Sequence, residues 1–379
     1  MKRIVFLTGT RADFGKLKSL IEILRNEPSY EVHIFATGMH LDATYGYTVH
    51  EIEKCGYNNI FKYQNHDDEA LMDITLARTI QGFSAYIRNV QPDLIIVHGD
   101  RIEALAGATV GALNNILVAH IEGGELSGTV DELIRHAVSK LSQTHFVANE
   151  EAKNRLIQMG ERAESIFVIG SPDMDVMLSD HLPSWHSVKT YYEIPFEEYA
   201  IALFHPVTTE YEQMQSYAEN FVDALENSSL NYVVIHPNND KGAELIRQSL
   251  IKLNNSNRFK QYPSMRFEYF LSLMKRAAFI IGNSSAGIRE APYFGVHTIN
   301  IGTRQNGRTL NPDIIHAAYD QQSISTAIQK ALNSNIAPKQ LFGSGNSDRK
   351  FAEILSGSAF WRTPKQKLFS DLQLMQPQL

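Results

Sequence analysis

Glu122 and Asp131 stand near the two ends of a polar, glycine-rich turn, His120-Ile121-Glu122-Gly123-Gly124-Glu125-Leu126-Ser127-Gly128-Thr129-Val130-Asp131-Glu132. The turn follows the apolar run Ile116-Leu117-Val118-Ala119. Carboxylates packed this densely after a buried strand suit proton transfer, and open α/β sheets bind ligands at the carboxyl ends of their strands. Two further apolar runs end the same way. Ile4-Val5-Phe6-Leu7 turns out through Thr8-Gly9-Thr10-Arg11-Ala12-Asp13-Phe14-Gly15-Lys16, and Leu94-Ile95-Ile96-Val97 runs into His98-Gly99-Asp100-Arg101. Three charged strand-to-helix turns predict one shared crevice.

The second half carries a different signal, Ile280-Ile281-Gly282-Asn283-Ser284-Ser285-Ala286-Gly287-Ile288-Arg289-Glu290. A strand running into small and hydroxyl residues and then a helix brings free backbone N–H groups and two hydroxyls to one point, which suits phosphate. Glu290, further into the helix, is placed to accept from ribose hydroxyls, and Arg304 in Gly302-Thr303-Arg304 adds a cation. The set suggests a nucleoside diphosphate. A phosphate-binding loop of the G-x-x-x-x-G-K-[ST] type and a dinucleotide fingerprint in its required context are both missing, which weakens ATPase and dinucleotide readings. His120 and His136 lack metal-ligand spacing, so no metal is expected.

Plainer readings stand beside these. Asp100 and Thr129 each precede a glutamate by three residues, as helix caps do, and Asp131 in a first helical turn suits the dipole. Ser284 and Ser285 fit caps as well. Arg11 and Lys16 fit solvated charges, while His205 in Phe204-His205-Pro206 and His40 in Thr37-Gly38-Met39-His40 fit hydrogen-bonded histidines at the edge of a core. Joint placement at strand ends favours a site.

Short apolar runs alternating with segments of helical period predict parallel-sheet α/β architecture. Strands are expected near 4–7, 32–36, 94–97, 117–121, 145–148 and 166–169, then 200–204, 232–235, 279–281 and 297–301. Phe14, Leu17, Leu20, Ile21 and Leu24 recur at helical spacing and predict one apolar helix face. Periodicity lapses around His181-Leu182-Pro183-Ser184-Trp185, which sets a domain boundary: 1–180 and then 181–362, with a ligand expected in the crevice between. At 379 residues, 43% hydrophobic and 20% charged, the chain has room for two such globular domains. A net charge of −7 with no basic cluster argues against nucleic acid. One cysteine, Cys55, fits a reducing compartment, and no apolar run has the length of a signal core or a membrane span. A cytoplasmic protein is expected.

These landmarks, together with His120-Ile121-Glu122-Gly123-Gly124-Glu125, Asp131 with Arg135-His136, His205-Pro206-Val207-Thr208 and Arg289-Glu290-Ala291-Pro292, resemble the UDP-N-acetylglucosamine 2-epimerase family over nearly the whole chain. Ala12-Asp13 after Thr10-Arg11, and Arg101 after Gly99-Asp100, favour its hydrolysing branch. The resemblance implies two Rossmann-like domains in a glycosyltransferase-B-like arrangement with a deep interdomain cleft. It also implies a segment 363–379, helical over Lys365–Leu374, that packs back on the first domain, and a homodimer or homotetramer.

For the site, the resemblance implies Asp100, Glu122 and Asp131 as acid/base groups, Glu122 exchanging the proton at sugar C2. Arg11, His205, Ser284 and Ser285 would stabilise the diphosphate and Glu290 hold the ribose. Asp13, Lys16, His40, Arg101, His136, Asn283, Gly287 and Arg304 complete the substrate- and UDP-binding set, with no cofactor. The implied reaction is anti elimination of UDP to a 2-acetamidoglucal, then hydration to free N-acetylmannosamine. Alternatives are the same reaction on UDP-N,N′-diacetylbacillosamine, a non-hydrolysing epimerase, a UDP-sugar glycosyltransferase, or a sugar-nucleotide sensor without activity.

Overall fold

The computed structural model describes residues 1–43, 46–65, 71–127, 130–237, 240–307, 311–368 and 370. Gly128 and Thr129 of the acidic turn, and positions 369 and 371–374 of the expected terminal helix, lie outside the described residues. The chain forms two compact units, Met1–Leu178 with Phe342–Leu379, and Ser179–Leu341.

Among the described residues the first unit has seven strands, β1 Lys2–Thr8, β2 Tyr30–Ala36, β3 Ile60–Lys62, β4 Leu94–His98, β5 Leu117–Ile121, β6 Thr144–Val147 and β7 Ile166–Val168. They pair in parallel in the order β3-β2-β1-β4-β5-β6-β7. Every residue of β4 and β5 is buried, as a parallel sheet covered on both faces requires. Alternate side chains enter separate cores, Ile4 and Phe6 on one face and Val5 and Leu7 on the other. The order reverses between β1 and β4, so the turns after these strands flank the position where such sheets take ligands. The helix Arg11–Arg25 that follows β1 buries Phe14, Leu17, Leu20, Ile21 and Leu24, the face its spacing predicts.

The second unit repeats the plan. Its strands are β8 Ala200–Leu203, β9 Tyr232–Ile235, β10 Phe259–Tyr262, β11 Phe279–Gly282, β12 His297–Ile301 and β13 Ile315–Ala317. They too are parallel, in the order β10-β9-β8-β11-β12-β13 with the reversal at β8 and β11. Here the backbone crosses closely. Gly282 has φ 137°, and a Cβ at that position would lie 2.0 Å from the Leu203 carbonyl oxygen. Gly282→Ala is therefore expected to destabilise the protein by about 2–3 kcal/mol, read as a lower urea midpoint at unchanged slope.

One boundary differs from the sequence expectation. Residues 342–362 belong with the first unit, because Phe351, Leu355 and Phe360 are buried in its core and Phe351 meets Phe146 edge to face at 4.8 Å. The Asp175 carboxylate accepts from the backbone N–H groups of Ser347 (2.8 Å) and Asp348 (3.0 Å), satisfying the start of the returning helix Ser347–Ser356. Such packing is non-local and leaves no local periodic signature that marks a domain.

Beyond Thr363 the described residues 365–368 are not helical. They are held by polar contacts: the Gln143 amide donates to the Lys365 carbonyl (3.2 Å), and Lys367 Nζ donates to the Ser139 and Ser142 carbonyls. Lys367 also pairs with buried Glu161, which faces Lys140 and His145 as well. Burial alone would raise the Glu161 carboxyl, but His145, Lys367 and Lys140 outweigh it and bring it down to about 2. Burial pushes the Lys367 ammonium down to about 8. Lys140 remains on the carboxylate when Lys367 loses its proton, so the depressed Glu161 value governs acid behaviour. An acid depressed below its unfolded value of ~4.3 contributes stability that is complete above that pH and disappears on descent toward 2. Melting temperatures of the wild type and of Glu161→Gln are thus expected to differ at pH 7 and to converge between pH ~4.5 and ~2.

Candidate active site

The turn after β1 is held by Asp13. Its carboxylate accepts from Thr8 Oγ1 (2.6 Å), Gly9 N (2.9 Å) and Thr10 N (3.0 Å), while Thr10 Oγ1 accepts from Asp13 N in a capping box. His40 is fully buried, with Nε2 3.0 Å from Thr8 Oγ1 and Nδ1 2.9 Å from Thr48 Oγ1. Burial lowers its imidazole pKa, against the pull of Asp13 and Glu51. Both residues were expected to bind ligand. In the structure their polar atoms brace the turn, as the plainer reading for His40 has it.

That turn and its helix present Arg11 and Lys16. Arg11 pairs with Glu51 at 3.4 Å, half-exposed. Lys16 reaches the acidic turn after β5, where Nζ lies 3.0 Å from Glu122 Oε2 and 3.3 Å from Oε1. Glu122 is 3% exposed and left-handed at φ 62°, a conformation that costs a non-glycine residue about 1 kcal/mol or more and that recurs at functional sites. Three further groups meet it. The Ser171 hydroxyl donates to Oε1, His98 Nε2 stands 3.2 Å from Oε2, and Arg135 donates to its backbone carbonyl.

Arg135, buried on the helix Val130–Leu141, ties the acids together. Its guanidinium pairs with Asp100 Oδ2 and donates to Ser127 Oγ, whose hydroxyl donates to the same Asp100 oxygen at 2.7 Å. Burial would raise the Asp100 carboxyl, but Arg135, Ser127, His98 and Lys16 together hold it below its usual value. Asp100 is not a cap: the helix Ile102–Leu113 begins at Arg101 without a side-chain cap bond. Asp131, half-buried in the first turn of its helix, and Asp100 both act electrostatically on the half-exposed Arg101 guanidinium, after Glu103 and Asp13. His136 turns away to pair with Glu132 at 3.0 Å on a largely exposed helix face.

In the second unit Asn283 ties the ends of β8 and β11 at the reversal. Its Oδ1 accepts from His205 N (2.6 Å) and its Nδ2 donates to the His205 carbonyl (2.8 Å). The Asn283 carbonyl in turn accepts from Arg304 Nη1 (3.1 Å) and Gln305 Nε2 (2.8 Å). The structure therefore gathers His205, Asn283 and Arg304, with the Asn283 amide consumed in backbone bonds. Ser284 Oγ accepts from Ala286 N at 3.3 Å, and Ser285 precedes a helix of four residues, Ala286–Arg289, without capping it. Glu290 ends that helix, buried, rather than lying within it. Gly287 lies close against Thr298, where a Cβ would meet Thr298 Cγ2 at 2.5 Å.

His98, Ser127, Arg135, Ser171 and Asp173 also belong to the cluster around Glu122 and Asp100, and their types and spacing alone do not single them out. Ser171-Pro172-Asp173 follows the apolar run Ile166–Ile169, a fourth strand end of the kind that marked the other three.

The sequence profile of the UDP-N-acetylglucosamine 2-epimerase family matches residues 22–356. A Neisseria meningitidis UDP-N-acetylglucosamine 2-epimerase is 50% identical over 99% of this chain and 100% of its own length. A Legionella pneumophila UDP-N,N′-diacetylbacillosamine 2-epimerase (hydrolyzing) is 32% identical over 94% of this chain and 96% of its own. In fold, the chain is similar to a crystal structure of a Neisseria meningitidis UDP-GlcNAc 2-epimerase bound to UDP-GlcNAc, with TM-score 0.81 at 18% identity over 94% of this chain and 100% of that one. From the profile and from identity sustained along the full length, the chain belongs to the UDP-N-acetylglucosamine 2-epimerase family.

Proposed function

We propose that the protein is a hydrolysing UDP-N-acetylglucosamine 2-epimerase, converting UDP-N-acetylglucosamine and water to N-acetylmannosamine and UDP. The observation that carries the reading is the buried Glu122 carboxylate, held in a left-handed turn between Lys16, His98 and Ser171 beside the Arg135–Asp100 pair. The hydrogen at C2 of an N-acetylhexosamine is not acidic, so its removal needs a placed base and a departing leaving group together. Glu122 takes the C2 proton as the C1–O bond breaks, and the electron pair of that bond leaves on UDP. Water then adds at C1 of the 2-acetamidoglucal, and a proton returns to C2 from the opposite face. Asp100 and Asp131 supply the remaining acid/base work on the sugar. In the second unit His205, Ser284, Ser285 and Arg304 hold the diphosphate as its charge grows, with Glu290 on the ribose.

The higher identity to the Neisseria relative than to the diacetylbacillosamine enzyme favours UDP-N-acetylglucosamine as substrate. The relatedness to an enzyme named as hydrolysing supports release of free sugar. We place the enzyme in the cytoplasm as a homo-oligomer; among the described residues no helix is long and apolar enough to cross a membrane, and the oligomer rests on the family resemblance.

Proton NMR in D2O tests the reading, first with UDP-N-acetylglucosamine and then with UDP-N,N′-diacetylbacillosamine. Free UDP with N-acetylmannosamine deuterated at C2 is the expected result. Strong preference for the second substrate keeps the mechanism and replaces the substrate; UDP-N-acetylmannosamine without free UDP makes the enzyme non-hydrolysing.

A further inference from the structure

We propose that Ser171, on the turn after β7, and Asp173, which opens the short helix Asp173–Met177 next to it, are positioning residues that set the orientation and charge of the Glu122 carboxylate. The proposal rests on the assignment of Glu122 to proton exchange at C2. Ser171 and Asp173 are both fully buried. The Ser171 hydroxyl donates to Glu122 Oε1, while Asp173 Oδ2 lies 3.6 Å from Lys16 Nζ, whose ammonium bridges both Glu122 oxygens. One residue thus meets the carboxylate directly, and the other acts through the cation that faces it.

The turn carrying them is itself fixed. Ser171 N donates to the Phe342 carbonyl at 2.6 Å, and Gly170 (φ 93°) lies against Gly343 (φ 114°), where a Cβ on Gly343 would come within 2.7 Å of Gly170 Cα. Met174 N closes the turn onto the Ser171 carbonyl at 3.0 Å. A donor anchored in this way holds Glu122 Oε1 at a fixed point, and a base acting on one carbon needs such placement.

Besides Lys16, His98 faces Glu122 Oε2 at 3.2 Å and Arg135 meets its backbone carbonyl; both stay in place in the variants below, and the two contacts of Ser171 and Asp173 bias proton affinity in opposite directions. A hydroxyl donating to a carboxylate favours its ionised form, so Ser171→Ala moves the acid limb of kcat/KM to higher pH. Asp173 offsets part of the Lys16 charge, so Asp173→Asn leaves that charge more fully on Glu122 and moves the same limb to lower pH. A loss of packing would not displace the limb in opposite senses.

The experiment measures kcat, KM and the pH profile with UDP-N-acetylglucosamine for full-length wild type, Ser171→Ala, Ser171→Cys, Asp173→Asn and Glu122→Gln. Melting temperature and UDP binding confirm that each is folded. Expected are a roughly 10-fold fall in kcat for Ser171→Ala with KM within about 2-fold, partial recovery in Ser171→Cys through its weaker S–H donor, and the opposed shifts of the limb. Should Asp173→Asn fail to fold, the Ser171 pair decides alone. Normal kcat and an unmoved limb in Ser171→Ala, with Glu122→Gln inactive, overturn the positioning proposal only. Normal turnover by Glu122→Gln removes the assignment of Glu122 and the positioning proposal with it.

Discussion

Glu122→Gln is expected to lower kcat at least ~10²-fold, about 3 kcal/mol of transition-state stabilisation, while UDP binding stays near the wild-type level. Glutamine keeps the length of the side chain, and its amide oxygen can still accept from Ser171 and Lys16, so the turn keeps most of its contacts. The change removes the negative charge and the ability to take a proton. Steady-state release of UDP and C2 deuterium incorporation measure the first effect, and calorimetric titration with UDP the second. Activity within a few-fold of wild type would take Glu122 out of the chemistry and move attention to Asp100, whose carboxylate is held ionised by Arg135 and Ser127.

The second large effect concerns stability. Phe351→Ala is expected to destabilise the protein by about 4 kcal/mol, because it empties a fully buried site where Phe351 packs against Phe146 and beside Phe360 in the first unit. Urea unfolding followed by a probe in each unit checks this, with Trp361 reporting the first unit and Trp185, stacked on Tyr199 at 5.5 Å, the second. The Trp361 transition should move to lower urea. An unchanged midpoint for Trp361 would show that the returning helix adds little to that core.

Central elements of the fold were legible because burial writes them into the sequence. β1, β4, β5, β8, β9 and β11 each carry a short apolar run, and that run marks the strand. The strands that no such run announces, β3, β10 and β13, all lie at sheet edges. Phe61 and Lys62 are exposed and β10 is only partly buried, so neither carries the run that marks an inner strand. The site divided along a similar line. Charged residues at strand ends drew attention whether they face a ligand or brace a turn, and spacing does not separate Glu122 from Asp13 or His40. The kind of partner differs: Asp13 accepts from Thr8, Gly9 and Thr10 of its own turn and His40 joins two threonine hydroxyls, whereas Glu122 meets Lys16, His98 and Ser171 from three other strand ends. Ser171 was invisible for the converse reason, since a serine after a glycine looks like any turn until its hydroxyl is seen on a carboxylate.

The first unit is built from two stretches of chain separated by the whole of the second, and this has a consequence for how the protein is made. A ribosome delivers Met1–Leu178 first, yet Phe351, Leu355 and Phe360, which that unit needs to close its core, follow about 170–180 residues later, roughly 10–35 s at ordinary rates of synthesis. During that interval the second unit, contiguous in sequence, can complete itself while the first waits with an apolar face uncovered. The unit that emerges first is the last to finish folding, and the nascent chain's exposure to chaperones and proteases falls on the half that carries the carboxylates.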